Sequence, residues 1–199
     1  MNGIKVLLAA GLAAMLAGCK YETIADPALK GRDLELMALA PPMPSEIDPI
    51  RARYRIQNPT SEKAPGTIVV NSNEKFLYLI EEGGTALRYP IAVGQDAFIW
   101  SGTAVIGRKA EWPSWTPGND ARSINPSLPG SVPGGPQNPL GARAIYLYDD
   151  GKDTLYRIHG TNEPESIGRN QSLGCIRMYN IDVIDLYNRV KEGAKVVVL

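Results

Sequence analysis

The sequence predicts a mainly β domain closed by one helix near its C-terminus, and three observations carry that reading. Residues 67–71, 75–80 and 85–93 are short runs rich in apolar residues, separated by Asn71-Ser72-Asn73 and Gly83-Gly84. Runs of this kind at turn spacing predict an antiparallel meander. Residues 144–148 and 155–159 flank Asp149-Asp150-Gly151-Lys152, a turn sequence that predicts a second hairpin. Val183, Ile184, Leu186, Tyr187 and Val190 fall on one helical stripe, with Asn180 as its cap, Asp182 and Asp185 at its positive end and Gly193 as its stop. Residues 195–199 complete the pattern as a last strand.

Composition narrows the class. Lys and Arg number 21 against 21 Asp and Glu, so no field of one sign surrounds the molecule and nucleic acid is not an expected partner. With 44% hydrophobic residues and 20 Gly plus 16 Pro in 199, the chain can bury one core and lies outside the disordered range. A single His159 and two cysteines are too few for a Cys/His zinc site, and no Gly-rich strand-to-helix phosphate loop appears, so neither metal nor cofactor is expected.

Residues 1–18 read as an address rather than as structure. One lysine precedes an apolar run at 6–16, too short to span a bilayer and of the size of a signal-peptide core. The run ends in Leu16-Ala17-Gly18-Cys19, which resembles the bacterial lipobox. That resemblance implies cleavage before Cys19, acylation of its thiol, and a protein tethered by lipid on the periplasmic side of the envelope. Lys20 stands where an Asp would retain such a protein in the inner membrane, so the outer membrane is the expected one. Residues 19–64, with Pro27, Pro41, Pro42, Pro44, Pro49 and Pro59 and a short helical stretch at 29–39, read as a lipid-anchored spacer. As a flexible coil it would span on the order of 35–40 Å. Arg51, Arg53 and Arg55 within it read as a solvated strand face. The remaining 65–199 would be the catalytic domain.

With Cys19 acylated, Cys175 has no partner for a disulfide and remains a thiol in an oxidising compartment. A thiol and an imidazole are the smallest inventory for nucleophilic catalysis, and they lie 16 positions apart in the chain, His159 at a strand end and Cys175 just before the helix. Gly174 lets substrate approach the backbone, and the N–H groups near Gly174 and Cys175 are candidate oxyanion donors. Ser172, Arg169 and Arg177 make the cysteine loop polar and basic, a setting that lowers a thiol pKa. Residues 116–141 hold six prolines and five glycines, and a loop of that length beside a site reads as a lid.

His159-Gly160-Thr161, Ser166-Ile167-Gly168 and Ser172-Leu173-Gly174-Cys175-Ile176-Arg177-Met178 together strongly resemble the signature of the YkuD-type L,D-transpeptidases. The resemblance extends from about Gly66 to Leu199 and includes Pro139-Leu140-Gly141-Ala142-Arg143. It implies a β-sandwich with one helix after the cysteine loop and a site under a lid. It implies Cys175 as nucleophile, His159 as proton acceptor and donor, and the Gly160 carbonyl as the group that orients the imidazole. Ser172 would line the pocket, and Arg177 would hold the loop or meet a substrate carboxylate. The implied substrate is a peptidoglycan stem peptide, acylated onto Cys175 at its diaminopimelate carbonyl with loss of D-alanine. An amine acceptor, on another stem or on an outer-membrane protein, would then take the acyl group. Where many members carry a second histidine before Gly-Cys, this chain has Leu173. An L,D-carboxypeptidase, another cysteine hydrolase such as a sortase-like enzyme, and a non-enzymatic wall-binding lipoprotein are the alternatives.

Overall fold

Alternation of apolar residues builds the sheet. In the computed structural model, which describes residues 21–94, 100–172 and 174–199, β3 (Ile68–Asn71), β4 (Phe76–Ile80) and β5 (Thr85–Pro90) form the expected antiparallel meander. The expected hairpin is β8 (Arg143–Asp149) with β9 (Lys152–His159), and the last strand is β12 (Lys195–Val198). Between them runs β7 (Gly102–Glu111), ten residues that sequence reasoning did not find. Exposed Val105 and the small Gly107 interrupt the apolar alternation there, so the period-2 signal is lost.

Four shorter strands border the sheet or lie beside it: β1 (Glu22–Thr23), β2 (Tyr54–Gln57), β6 (Val93–Gly94) and β10 (Asn170–Ser172), while β11 (Ile176–Arg177) closes one edge. The ten-stranded order is β1-β2-β5-β4-β3-β12-β7-β8-β9-β11, and β10 pairs in parallel with β6. Strand β12 joins the halves by running parallel to β3 and antiparallel to β7. Ile68, Leu77, Leu87, Ile106, Ile145, Ile158 and Val196 all enter one core. Strands from both halves turn one face into that core, so the sheet folds over as a sandwich with two leaves.

The helix α3 (Asn180–Arg189) buries Val183 and Leu186 in the same core. Two details differ from the sequence reading. Tyr179 occupies the capping position, and Asn180 lies inside the first turn, where its side chain is committed to other loops. The C-terminal end stops at Arg189, before Gly193, and the Lys109 ammonium donates to the carbonyls of Tyr187 (2.6 Å) and Val190 (2.7 Å). A cation on these last carbonyls suits the negative end of the helix.

The segment read as a flexible spacer is instead packed onto the domain over the part described. Strand β1 pairs with β2, β2 pairs with β5, and α1 (Arg32–Leu39) sets Leu36 and Met37 against Trp112, Ala142 and Ile184. Its arginines are also not a solvated face. The Arg53 side chain is 4% exposed and pairs with Asp26 (2.8 Å) and Asp182 (2.9 Å). Arg55 pairs with Glu22 and Glu81, and Arg51 donates to the Ile167 carbonyl. Prolines hid this because they break regular elements without preventing an extended chain from docking. Residues 116–141 carry a short helix, α2 (Asn119–Ile124), and Val132 among them pairs by backbone with Trp115 just before the segment. The Asn138 amide donates to the carbonyls of Pro113, Val132 and Pro133 and draws this loop together at its base. Among the described residues no helix is long and apolar enough to cross a membrane.

Candidate active site

His159 ends β9 and is 4% exposed. Its Nδ1 lies 2.6 Å from the Gly160 carbonyl, a contact that places the proton on Nδ1 and leaves Nε2 with a free lone pair. Five further hydrogen bonds hold this corner. Gly160 N–H donates to the Arg143 carbonyl (3.0 Å), and Met178 N–H donates to the His159 carbonyl (2.8 Å). Asn180 Oδ1 accepts from the N–H groups of Ala142 (3.0 Å) and Thr161 (3.1 Å). Its Nδ2 donates back to the Thr161 carbonyl (2.8 Å). Gly141 is required here, because its φ of 59° is left-handed and a Cβ would collide with Asn180 Oδ1 and Thr161 N.

Cys175 is half-buried and lies just before β11. Strand β11 runs parallel to β9 with Ile176 opposite Ile158 and Arg177 opposite His159. One residue earlier in the same register, Cys175 falls beside Arg157. Ile158 and Ile176 point into the core, so strand alternation puts His159, Arg157, Cys175 and Arg177 together on the opposite face. Sulfur and imidazole therefore occupy diagonal positions on neighbouring strands, a relation that lets side chains meet. Gly174, at φ 109°, makes the turn that delivers the cysteine.

Electrostatics keep both groups neutral at rest. Burial, aided by the nearby Arg177 charge, pushes the His159 pKa down to about 3, and the Gly160 carbonyl opposes this only in part. Burial pushes the Cys175 thiol up, outweighing the hydrogen bond from the Arg157 backbone and the charges of Arg157 and Arg177. The lowered thiol pKa expected from the basic loop is thus not found. The two arginines have carboxylate partners, Glu163 for Arg177 (2.8 Å) and Asp153 for Arg157 (2.8 Å), which blunt their field. Desolvation then prevails. Arg177 ties the cysteine strand to the loop after His159 through Glu163. The side chain of Ser172 lies outside the described residues, as does Cys19.

Sequence reasoning missed Asn180 as a clamp, because an Asn before an amphipathic run is the ordinary signal of a cap. It missed Arg143, whose backbone carbonyl holds Gly160 and whose guanidinium is taken by Asp33 of α1 at 2.9 and 2.6 Å. No spacing links residues 33 and 143. Only the docked N-terminal segment brings them together.

A thiol and an imidazole on one face of a curled sheet, the imidazole fixed by a backbone carbonyl, are the parts of a cysteine acyltransferase. Residues 65–198 match the model of the L,D-transpeptidase catalytic domain, and the chain belongs to that family. It is 39% identical over 138 residues to the probable L,D-transpeptidase YbiS of Escherichia coli K12, covering 65% of this chain and 43% of YbiS. It is also 39% identical over 141 residues to the probable L,D-transpeptidase ErfK/SrfK of the same strain, covering 66% and 43%. The matched region spans less than half the length of these relatives. Among solved structures, a Brucella melitensis protein described as a probable carnitine operon oxidoreductase is 46% identical, with a TM-score of 0.52, covering 77% of this chain and 96% of that one. An L,D-transpeptidase from Mycobacterium smegmatis shares the fold at 18% identity and a TM-score of 0.52, covering 78% and 70%.

Proposed function

We propose that this protein is a peptidoglycan L,D-transpeptidase that works through a thioester on Cys175. The observation that carries the reading is the diagonal placement of Cys175 and His159 on paired strands, with Nδ1 of the imidazole held by the Gly160 carbonyl. Because both groups are neutral at rest, the proton leaves sulfur for Nε2 as the sulfur attacks the diaminopimelate carbonyl of a tetrapeptide stem. The N–H groups at Gly174 and Cys175 receive the oxyanion. Collapse breaks the C–N bond, His159 returns the proton to the departing D-alanine nitrogen, and a thioester remains. An acceptor amine then attacks, gives a proton to His159, and expels the thiolate, which takes that proton back.

The acceptor is a stem-peptide amine, giving a 3-3 cross-link, or an amine of an outer-membrane protein, which becomes anchored to the wall. Arg177 serves this chemistry by holding the loop after His159 through Glu163. We place the enzyme on the periplasmic side, lipid-anchored through Cys19 after removal of residues 1–18, at the outer membrane. The docked N-terminal segment shortens the tether. Cys19 stands only three positions before β1, a reach of about 10 Å, so the domain would act on polymer lying against the membrane.

The full chain in detergent, mixed with a tetrapeptide stem and an amine-bearing stem, is expected to release D-alanine and form a cross-linked dimer. Cys175→Ala is expected to abolish both. D-alanine release without a dimer would identify a carboxypeptidase. Binding without release would identify a wall-binding protein.

A further inference from the structure

The face that carries Cys175 and His159 continues across the sheet. Arg108 of β7 is paired with Tyr146 of β8, and Tyr146 with Arg157 of β9, while Cys175 falls beside Arg157 in register. One transverse row thus reads Arg108, Tyr146, Arg157, Cys175. The next row reads Ala110, Ala144, His159, Arg177, in which Ala144 is fully buried.

A bulge creates the row. The pairing of β7 with β8 shifts between Ile106 and Arg108, with the extra residue being Gly107, on which the Tyr148 ring lies so closely that a Cβ would collide. Unbroken alternation from the core-facing Ile106 would turn Arg108 to the core face. The bulge delivers it outward, where its guanidinium lies 3.6 Å from the centroid of the Tyr146 ring. Arg157 stacks on the same ring at 4.5 Å. Two cations share one aromatic ring, yet only one of them is compensated: Asp153 takes Arg157 through two hydrogen bonds of 2.8 and 3.0 Å. Among the described residues no carboxylate pairs with the exposed Arg108. Stacking holds its planar fork in place, and a carboxylate is the ligand that such a fork fits.

We propose that this row is a carboxylate subsite, in which Arg108, set by Tyr146 and Arg157, binds a free carboxylate of the substrate peptide. The proposal rests on the transpeptidase reading and adds a specificity determinant to it. Its position suits the purpose. Strands lie about 4.8 Å apart, so a guanidinium over Tyr146 sits on the order of 10 Å from Cys175, the span of about three extended residues. A peptide with its scissile carbonyl at the sulfur and its backbone extended across the strands along this row therefore brings a side carboxylate a few residues away to Arg108. The ligand class is an acidic peptide, and a neutral peptide of equal length gains nothing from this row.

Calorimetry on the full chain carrying Cys175→Ala, which binds without turnover, tests this. The probes are a tetrapeptide stem with free carboxylates and the same peptide with its side carboxylates amidated. Adding Arg108→Gln is expected to weaken binding of the free stem about tenfold, the usual scale for a charge-assisted hydrogen bond, and to leave the amidated stem unchanged. Arg108→Lys is expected to keep most of the preference for the free stem. Equal affinity for the free stem with and without Arg108→Gln, or an equal loss on both peptides, would overturn the subsite. D-alanine release by the chain with Cys175 intact reports separately on the transpeptidase reading, because the binding result stands with or without turnover.

Discussion

Helix α3 has a buried ionisable cluster near each of two surfaces, and the two deal with burial in opposite ways. At one, Arg53 meets Asp182 and Asp26, with Asp185 at 4.0 Å. Asp185 is also held by Arg189 and by the Tyr89 hydroxyl, which donates at 2.7 Å. At the other, no carboxylate among the described residues pairs with His159, and its Nδ1 is held by the Gly160 backbone carbonyl. Charges meet charges in the first cluster, and its work is to fasten the N-terminal segment to α3. Neutral groups meet backbone in the second, which leaves an imidazole lone pair and a thiol proton available for exchange. A carboxylate beside His159 would favour the charged imidazolium and remove the base.

The contrast is exposed most strongly by removing the imidazole. His159→Ala is expected to lower kcat by about 10²–10⁴-fold, the range for general acid–base catalysis, with an unchanged circular dichroism spectrum. An activity loss below tenfold would place the base elsewhere. Arg53→Ala is expected to act on the fold instead, costing about 3–5 kcal/mol in urea unfolding because Asp182 stays buried without its cation. A change under 1 kcal/mol would deny that the cluster fastens the segment.

Asp33→Ala connects the two behaviours. It strips the buried Arg143 guanidinium and Trp112 Nε1 of their acceptor, and the backbone of Arg143 holds Gly160. A stability loss of about 1–2 kcal/mol and a several-fold fall in kcat at constant KM are expected, measured by urea titration and steady-state kinetics. Restoration of kcat by Asp33→Glu would support positioning through the guanidinium, and unaltered kinetics would remove it.

The smallest effect is also the one that separates the clusters by sign. Burial pushes Asp182 up to about 7, with the neighbouring charges of Asp26 and Asp185 adding to the rise and Arg53 opposing it. The native state therefore holds a proton that the unfolded chain releases above its ordinary 3.8, so this group's contribution to stability is lost as pH rises toward 7. His159 does the reverse. Its native pKa of about 3 lies below the ordinary 6.5, so the unfolded chain binds the proton first and stability is lost as pH falls through that window. In wild type the two slopes oppose each other between about pH 4 and 6.5. Asp182→Asn is expected to tilt stability upward with pH, and His159→Gln to tilt it downward. Tilts of the same sign would show that one of the two pKa directions is wrong.

Much of this molecule is legible in its residues. The meander, the hairpin, α3 and β12 follow from periodicity and turn residues, because each buries one face locally. The candidate dyad is legible for a different reason: a single histidine and a single cysteine in the domain leave few pairings to consider. What escaped depends on contacts far apart in sequence. Arg53 reads as solvated until Asp182 arrives 129 positions later, and Asn180 reads as a cap until Thr161 and Ala142 claim its amide. The Arg108 row needs a bulge in a strand whose alternation is broken. The thiol pKa went astray because the sequence lists the positive charges around Cys175 but not the desolvation that outweighs them.

Covalent capture tests the central claim most directly. The full chain in detergent is mixed with a tetrapeptide stem, quenched in acid within the first turnovers, and digested for mass spectrometry. The expected result is a tripeptide acyl group, the stem less D-alanine, on the fragment containing Cys175, lost on mild hydroxylamine treatment and absent from Cys175→Ala. D-alanine release that persists in Cys175→Ala, or an acyl group found on any other residue, would contradict it.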